Sequence, residues 1–217
     1  MFEALYERYG PQHWWPAETP FEVMVGAVLA QNTSWKNVRR AIENLKDAEL
    51  LEPRALYDLD AEELAELIRP AGYFTRKAQR LRNLLKLVVE RYGGRLDRMF
   101  ATDPSTLREE LLSVNGVGPE TADSILLYAA GKPTFVVDTY THRVLSRHGL
   151  VEAEIGYEGL KEFCEDHVPE DVAHYNEYHA LLVRVGHEFC KPRPKCEACP
   201  LKAFLPAGGP VGVEPID

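Results

Sequence analysis

Residues 111–147 read LLSVNGVGPETADSILLYAAGKPTFVVDTYTHRVLSR, and the rest of the chain is organised around this stretch. Its first half predicts two helices joined by a tight turn at Gly116-Val117-Gly118, because two glycines permit positive φ angles and leave backbone N–H groups uncovered. Pro119 suits the first position of the second helix, where its missing N–H costs nothing. Since uncovered amides at a helix N-terminus attract an anionic oxygen, the turn is a candidate anion-binding site.

An acidic residue ends the apolar run that follows, Thr134-Phe135-Val136-Val137. Asp138 stands where a new helix is expected to begin. It predicts either a helix N-cap, because side-chain oxygens accept hydrogen bonds from the first free amides, or an acid held at the mouth of a cleft. One side chain can fill both roles.

The Gly-Val-Gly turn and the Val-Asp-Thr segment, at this spacing, resemble the helix-hairpin-helix, Gly/Pro-Asp superfamily of DNA base-excision glycosylases, the endonuclease III relatives. The resemblance extends from about Tyr6 to Cys199. It implies that Asp138 is catalytic and acts on the sugar of a nucleotide flipped out of the DNA stack.

The same resemblance assigns the DNA contacts around this acid. It implies that the hairpin residues Gly116, Val117 and Gly118 bind a DNA phosphate. Thr139 and Arg143 continue the superfamily pattern after the acid and are expected to contact the DNA backbone or to position Asp138.

Length and pattern predict an all-α fold. The 217 residues, 45% of them hydrophobic, can bury one good core or two small ones, and no convincing alternating strand occurs. By resemblance, residues 20–131 form one helical domain with the helix-hairpin-helix motif at 111–130. Residues 1–19 and 132–217 form the second domain, with a Cys-rich loop at 187–205 and a DNA-binding cleft between the two domains.

Charge and hydropathy limit the classes of partner. The formal net charge of −9 gives DNA binding no support, because phosphate neutralisation needs Lys and Arg, but the basic residues are clustered and leave it possible. The N-terminus has no signal-peptide pattern, and no apolar run approaches the roughly 18 residues of a membrane span. We therefore expect a cytoplasmic, nucleoid-associated monomer without membrane contact.

Glu120 bears on the type of reaction. Relatives that also cut the DNA backbone carry a lysine two residues beyond the last hairpin glycine, where it forms a Schiff base with the sugar. Here Glu120 holds that position, and the next lysine is Lys132. The resemblance therefore predicts a monofunctional glycosylase without AP-lyase activity. Glu120 itself is either a favourable first-turn acid or a carboxylate of the base pocket.

Aromatic residues suggest the base. The segments HWWP at 13–16 and QNTSW at 31–35 resemble the 3-methyladenine DNA glycosylase III branch of the superfamily. This likeness implies that Trp15 and Trp35 flank the extruded base and that Trp14 shapes the pocket. Electron-rich rings suit a cationic lesion such as 3-methyladenine. The alternative is that these tryptophans are ordinary core or interface residues.

Two further side chains match the DNA wedges of the superfamily. Gln31 falls where relatives insert a side chain into the gap left by the flipped base, and Tyr73 falls where they use a second wedge. A loop glutamine between apolar helices can also serve only as a cap.

Three clustered cysteines predict a metal site. Cys190, Cys196 and Cys199 resemble the [4Fe–4S] loop of the endonuclease III relatives, but the first gap is five residues instead of six and Leu205 stands at the fourth cysteine position. A cluster with an unusual fourth ligand is expected. The alternatives are zinc held with His187, or no metal. The candidates for the fourth ligand of the cluster are His187, Glu214 and Asp217.

These inferences predict a base-excision-repair glycosylase that hydrolyses the N-glycosidic bond of alkylated purines in double-stranded DNA, 3-methyladenine above all. Two alternatives stay open. One is an endonuclease III-like glycosylase for oxidised pyrimidines or mismatches, and the other is a non-catalytic binder of damaged DNA.

Overall fold

A computed structural model describes residues 1–212, and this part of the chain contains helices and no strand, which confirms the all-α prediction. The two segments Leu87–Arg91 and Ile125–Ala129 continue α6 and α9 as π-helical turns. The α-helices are α1 (Phe2–Tyr9), α2 (Pro20–Leu29), α3 (Trp35–Asp47), α4 (Pro53–Asp58), α5 (Ala61–Leu67), α6 (Phe74–Lys86), α7 (Leu96–Phe100), α8 (Pro104–Ser113), α9 (Pro119–Ser124), α10 (Thr139–Arg147), α11 (Tyr157–His167) and α12 (Val172–Glu188). The 3-10 turns are Arg69–Ala71, Cys196–Ala198 and Lys202–Phe204.

The chain divides into two compact units. One is Ala17–Lys132, and the other combines Met1–Pro16 with the described residues from Pro133 onward. The sequence placed the corresponding limits at residues 20 and 131. No helix among the described residues is both long and apolar enough to cross a membrane.

The unit Ala17–Lys132 is built around α2. Every residue from Phe21 to Leu29 is buried, as its almost uniformly apolar sequence requires. The helix starts at Pro20, because the Thr19 side chain accepts a hydrogen bond from the Glu22 N–H and proline suits the first helical position. The central helix α2 packs against α3, α6 and α9.

The other unit is organised by α10 and α12, which pack against each other. Gly186 permits this contact, since a Cβ there would lie 2.6 Å from Cδ1 of Tyr140. The apolar run Thr134–Val137 is buried ahead of α10, and the Phe135 N–H donates to Glu165 Oε1 at 2.8 Å. A buried segment tied to α11 therefore leads directly into Asp138.

Candidate active site and nucleic-acid interface

Asp138 is held from two sides. Its Oδ1 accepts a hydrogen bond from the Thr141 N–H at 2.7 Å, so it is the N-cap of α10. Its Oδ2 lies 3.7 Å from His179 Nε2 on α12. Only 13% of the Asp138 side chain and 7% of the His179 side chain are exposed. The acid is therefore fixed in orientation and largely shielded from bulk water.

The environment of Asp138 favours its ionised form. Burial alone would raise the pKa of the carboxyl, but the neighbouring His179 and the hydrogen bond from the Thr141 N–H lower it, and the net shift of the pKa is downward. Asp138 is therefore a carboxylate at neutral pH.

Sequence reasoning missed His179. The residue lies 41 positions after Asp138 in α12, where its neighbours Tyr175 and Leu182 are both buried. The sequence did carry one signal. His179 lies four residues after Tyr175 and three before Leu182, so helix geometry places it on the same buried face, where a polar side chain needs a partner.

The two other residues predicted around this acid differ in exposure. Thr139 is exposed in the first turn of α10. Arg143 is half-buried, and its guanidinium lies 5.1 Å from the centroid of the Tyr140 ring. Their predicted contact with DNA or with Asp138 stays a prediction.

The two glycines of the hairpin between α8 and α9 differ in backbone conformation and in the space around them. Gly116 has a φ of +96°, and a Cβ there would lie 2.3 Å from Cγ of Arg80. Gly118 has an extended backbone as the N-cap of α9, and nothing lies within 4 Å of where its Cβ would be. Val117 is 6% exposed, so its side chain anchors the turn in the core. Any contact between Val117 and DNA must therefore use its backbone.

Gln31 is hydrogen-bonded to this hairpin. Its Nε2 donates to Gly116 O at 3.0 Å and to Thr121 Oγ1 at 2.9 Å. Its Oε1 accepts a short hydrogen bond from Arg80. The amide therefore links the loop after α2 to the hairpin and to α6, a network that sequence reasoning did not predict.

A buried ion pair braces the same hairpin. Arg108 of α8 donates two hydrogen bonds to the carboxylate of Asp123, at 2.7 and 3.1 Å. Asp123 is fully buried and follows the turn in sequence. The pair therefore connects the helices on either side of the turn.

Tyr73 is the most exposed large aromatic side chain among the described residues, with 68% of its surface accessible. It is also the N-cap of α6 and has a φ of +46°, in the left-handed region that non-glycine residues seldom occupy. An exposed ring held on a strained backbone is typical of a residue kept for contact with something outside the chain.

Trp14 and Trp15 lie on the segment after α1. Their rings are 5.6 Å apart at an interplanar angle of 64°, so they meet edge to face. Gln12 anchors this segment to α12, because its N–H donates to Glu177 Oε1 at 2.8 Å and its Oε1 accepts from Arg184 at 3.0 Å. Both tryptophans are half-buried.

The other two predicted pocket residues belong to the unit Ala17–Lys132. Trp35 is half-buried at the start of α3. Glu120 is an exposed first-turn residue of α9, a place where a carboxylate is favoured by the helix dipole. Their roles in the pocket stay predictions.

The three predicted cysteine ligands line one cavity. Cys190, Cys196 and Cys199 surround it together with Leu205 and His148. Burial and the nearby thiols raise the pKa of Cys196 and of Cys199.

The donor set fits three of the four positions of a cysteine-bound cluster, because Leu205 offers no donor atom at the fourth. His187 is exposed and does not line the cavity, while Glu214 and Asp217 lie outside the described residues. Within residues 1–212, no three His, Cys, Asp or Glu side chains are brought together in a group that could hold a metal ion, so the cluster and its zinc alternative both stay predictions.

Comparisons with known proteins agree on one superfamily. Residues 25–170 match the HhH-GPD superfamily of base excision DNA repair proteins. A provisionally named DNA repair glycosylase of Methanocaldococcus jannaschii is 52% identical over 94% of this chain and 93% of its own length. Endonuclease III of Thermotoga maritima is 35% identical over 84% of this chain and 81% of its own length.

Solved structures agree with the sequence matches. The 3-methyladenine DNA glycosylase of Helicobacter pylori, bound to 1,N6-ethenoadenine, superposes with a TM-score of 0.75 at 29% identity and covers 86% of this chain and 95% of that one. A trapped endonuclease III–DNA covalent intermediate superposes with a TM-score of 0.80 over 94% of this chain and 91% of that one. Its identity of 23% shows a shared fold alone.

Proposed function

Because the chain belongs to the HhH-GPD superfamily of base excision DNA repair proteins, we propose that it is a monofunctional enzyme that releases alkylated purines from double-stranded DNA, 3-methyladenine above all. At the coarser level it is a DNA glycosylase of the endonuclease III type. The observation that carries the reaction is the buried Asp138 carboxylate, which has a lowered pKa, accepts a hydrogen bond from the Thr141 N–H at one oxygen and lies 3.7 Å from His179 Nε2 at the other.

Asp138 acts on charge that appears during the reaction. When the bond between C1′ and the base nitrogen breaks, its electron pair leaves with the base and positive charge develops on the deoxyribose. A fixed carboxylate in a site shielded from water stabilises that cation. Water then bonds to C1′, and its proton passes to Asp138 or to solvent, which leaves an abasic sugar in an intact strand.

An alkylated purine suits this arrangement. A base such as 3-methyladenine, alkylated at a ring nitrogen, already carries positive charge in DNA and leaves as a neutral molecule, so it needs little help from a general acid. Trp14, Trp15 and Trp35 are the side chains that we expect to hold it by stacking and cation–π attraction. The 29% identical 3-methyladenine glycosylase of H. pylori supports this substrate class.

Glu120 supports the absence of lyase chemistry. A carboxylate cannot form an imine with the sugar, and no lysine lies between residue 87 and Lys132. Sodium borohydride should therefore trap no covalent complex between this protein and DNA. A trapped complex would contradict the monofunctional assignment and would move the chain to the lyase-competent members of the superfamily.

The DNA-contacting residues proposed next all belong to the unit Ala17–Lys132. We expect the hairpin backbone at Gly116 and Gly118 to bind a phosphate, since nothing crowds the face of Gly118. We expect Gln31 to enter the gap left by the flipped base and Tyr73 to act as a second wedge in the base stack. The exposure of the Tyr73 ring supports this assignment.

The cofactor proposed is a [4Fe–4S] cluster held by Cys190, Cys196 and Cys199 without a fourth cysteine. When bound, such a cluster crosslinks the loop 187–205 and takes no part in base release. Iron and acid-labile sulfide measured on protein purified without air would support it. Zinc in place of iron, or no metal in any preparation, would overturn it.

The experiment that tests the function compares three proteins on methylated duplex DNA. We expect the wild type to release 3-methyladenine, and we expect Asp138→Asn to release it about 100-fold to 10,000-fold more slowly. Asn caps helices as well as Asp does, so this variant should stay folded. Asp171→Asn is the matched control, because Asp171 caps α12 with the same 2.7 Å bond to a backbone N–H but is exposed.

Each outcome is informative. Full activity in Asp138→Asn, or an equal loss in Asp171→Asn, would refute the role of Asp138. Release of oxidised pyrimidines or mismatched bases instead of 3-methyladenine would move the chain to the endonuclease III specificity. Tight binding to abasic DNA without any base release would identify a damage binder.

A further inference from the structure

Lys77 is a buried lysine in α6, and only 1% of it is exposed. Its ammonium donates two hydrogen bonds of 2.8 Å, one to the backbone oxygen of Leu29 and one to that of Ala71. Leu29 and Ala71 are themselves fully buried. No carboxylate takes part in either of these two bonds, so Lys77 differs from the usual buried lysine, which is paired with an acid.

Both acceptors are the last residues of helical elements. Leu29 ends α2, and Ala71 ends the 3-10 turn Arg69–Ala71. The last carbonyls of a helix have no partner within the helix, and a buried carbonyl left unpaired costs free energy. Lys77 therefore completes two helix ends at once, and a cation is the charge that helix C-termini favour.

Each completed end lies two residues before a side chain proposed to enter DNA. Gln31 follows Leu29, and Tyr73 follows Ala71. The backbone of Lys77 adds a third connection, because its N–H donates to Tyr73 O at 3.0 Å. One residue is thus bonded to the start of both loops.

We propose that Lys77 is a positioning residue that fixes the loops of Gln31 and Tyr73 relative to each other, so that both side chains enter damaged DNA together. The proposal rests on the proposed function, which assigns these two side chains to the base stack. It goes beyond that function by naming the residue that makes the two loops one rigid unit.

Burial of the Lys77 charge carries a free-energy cost, which its two hydrogen bonds to the helix-end carbonyls oppose. Burial and the charge of Arg80 lower the pKa of Lys77 to about 8, so the native state holds this charge less easily than the unfolded chain does. An apolar side chain of similar length, such as Met, would remove this desolvation cost but would leave the buried carbonyls of Leu29 and Ala71 without this donor.

The test uses Lys77→Met, with Lys86→Met as the matched control. Lys86 belongs to the same helix and is exposed. We expect Lys77→Met to bind duplex DNA containing an abasic analogue about 10-fold to 100-fold more weakly than wild type, since small misplacements of positioning groups have effects of this size. Its single-turnover rate of 3-methyladenine release at saturating enzyme should stay close to that of wild type.

A spectroscopic readout separates positioning from general damage. A 2-aminopurine placed opposite the lesion brightens when it is unstacked, and Lys77→Met should lose this signal while Lys86→Met keeps it. If Lys77→Met matches wild type in affinity and fluorescence, the positioning role is wrong and the proposed function still stands. If wild type itself neither releases a base nor binds abasic DNA, the proposed function fails first.

A measurement on the wild type keeps the proposal testable if Lys77→Met does not fold. Native-state hydrogen exchange should show the amides of 30–33 and 72–75 opening together, with one common free energy, because one ammonium holds both loops. Independent opening of the two loops would overturn the proposal.

Discussion

Replacing Gly116 or Gly118 with alanine tests the hairpin, because the structure assigns the two glycines different reasons to lack a side chain. At Gly116 the φ of +96° disfavours any Cβ, and the added atom would lie 2.3 Å from Cγ and 3.1 Å from Cβ of Arg80. These atoms belong to the root of the Arg80 side chain, so Arg80 cannot move aside by rotating its tip. It would have to give up its hydrogen bond to Gln31.

The expected cost of Gly116→Ala follows from these two effects. Backbone strain of this kind costs about 1–3 kcal/mol, and loss of a charge-assisted hydrogen bond costs about 1.5–3 kcal/mol. We therefore expect the free energy of unfolding to fall by about 3 kcal/mol or more. For a chain of this length, the melting temperature should fall by about 10 °C.

Gly118→Ala should behave in the opposite way. Its backbone is extended and its Cβ would meet nothing within 4 Å. Alanine is a poorer N-cap than glycine but restricts the unfolded chain more, and the two effects nearly offset each other, to within about 0.5 kcal/mol. The new methyl group would stand on the face where a phosphate is expected, so DNA binding should weaken while stability is kept.

Thermal unfolding followed by circular dichroism, and DNA affinity measured by fluorescence anisotropy, check both variants side by side. The reasoning is refuted if Gly116→Ala is as stable as wild type, or if Gly118→Ala loses stability as Gly116→Ala does. Unchanged DNA affinity in Gly118→Ala would remove the hairpin from the DNA interface.

Three further outcomes follow from the structure. Arg108→Met should lower the free energy of unfolding in urea by about 3–5 kcal/mol, because it removes a cation that donates two hydrogen bonds to the fully buried Asp123 carboxylate; a loss below 1 kcal/mol would contradict a stabilising role for this ion pair. Between pH 8 and about 10.5, Lys77 is protonated in the unfolded chain but has released its proton in the native state. The free energy of unfolding of wild type should therefore rise with pH, by about 3 kcal/mol relative to Lys77→Met. If urea unfolding gives the same pH dependence for both proteins, the lowered pKa of Lys77 is wrong. Leu205→Cys adds a thiol to the cavity of the three cysteines, so iron and sulfide per chain should increase and resist loss in air; unchanged content would place the fourth ligand elsewhere.

The sequence predicted best what local chemistry decides. Asp138 caps α10, which is one of the two roles predicted from its place between the apolar run and the next helix. The family resemblance added the hairpin and the superfamily. It treated Gly116 and Gly118 alike, because the difference between them depends on Arg80, a residue more than 30 positions away that only the folded chain brings close.

The residues that sequence reasoning missed have partners distant in the chain. His179 faces an acid 41 positions earlier, and Arg80 bonds to Gln31 across 49 positions. No spacing rule links such residues, since their proximity depends on how helices pack and not on one helix period. Periodicity indicates only that a polar residue lies on a buried face, and the identity of its partner needs the structure.

Lys77 is a polar residue that the sequence places on a buried helix face. The sequence pattern of α6 places Ala78, Leu81 and Leu84 on the inner face and suggests that the basic residues point outward. Lys77 nevertheless stands four positions before Leu81 and seven before Leu84, so helical geometry puts it on the inner face with them. A lysine at such a position must find acceptors inside the protein, because burying an unpaired charge costs far more than one domain's stability allows. Its acceptors are the carbonyls at two helix ends. A single basic residue in an apolar pattern therefore connects the two loops that are proposed to contact damaged DNA.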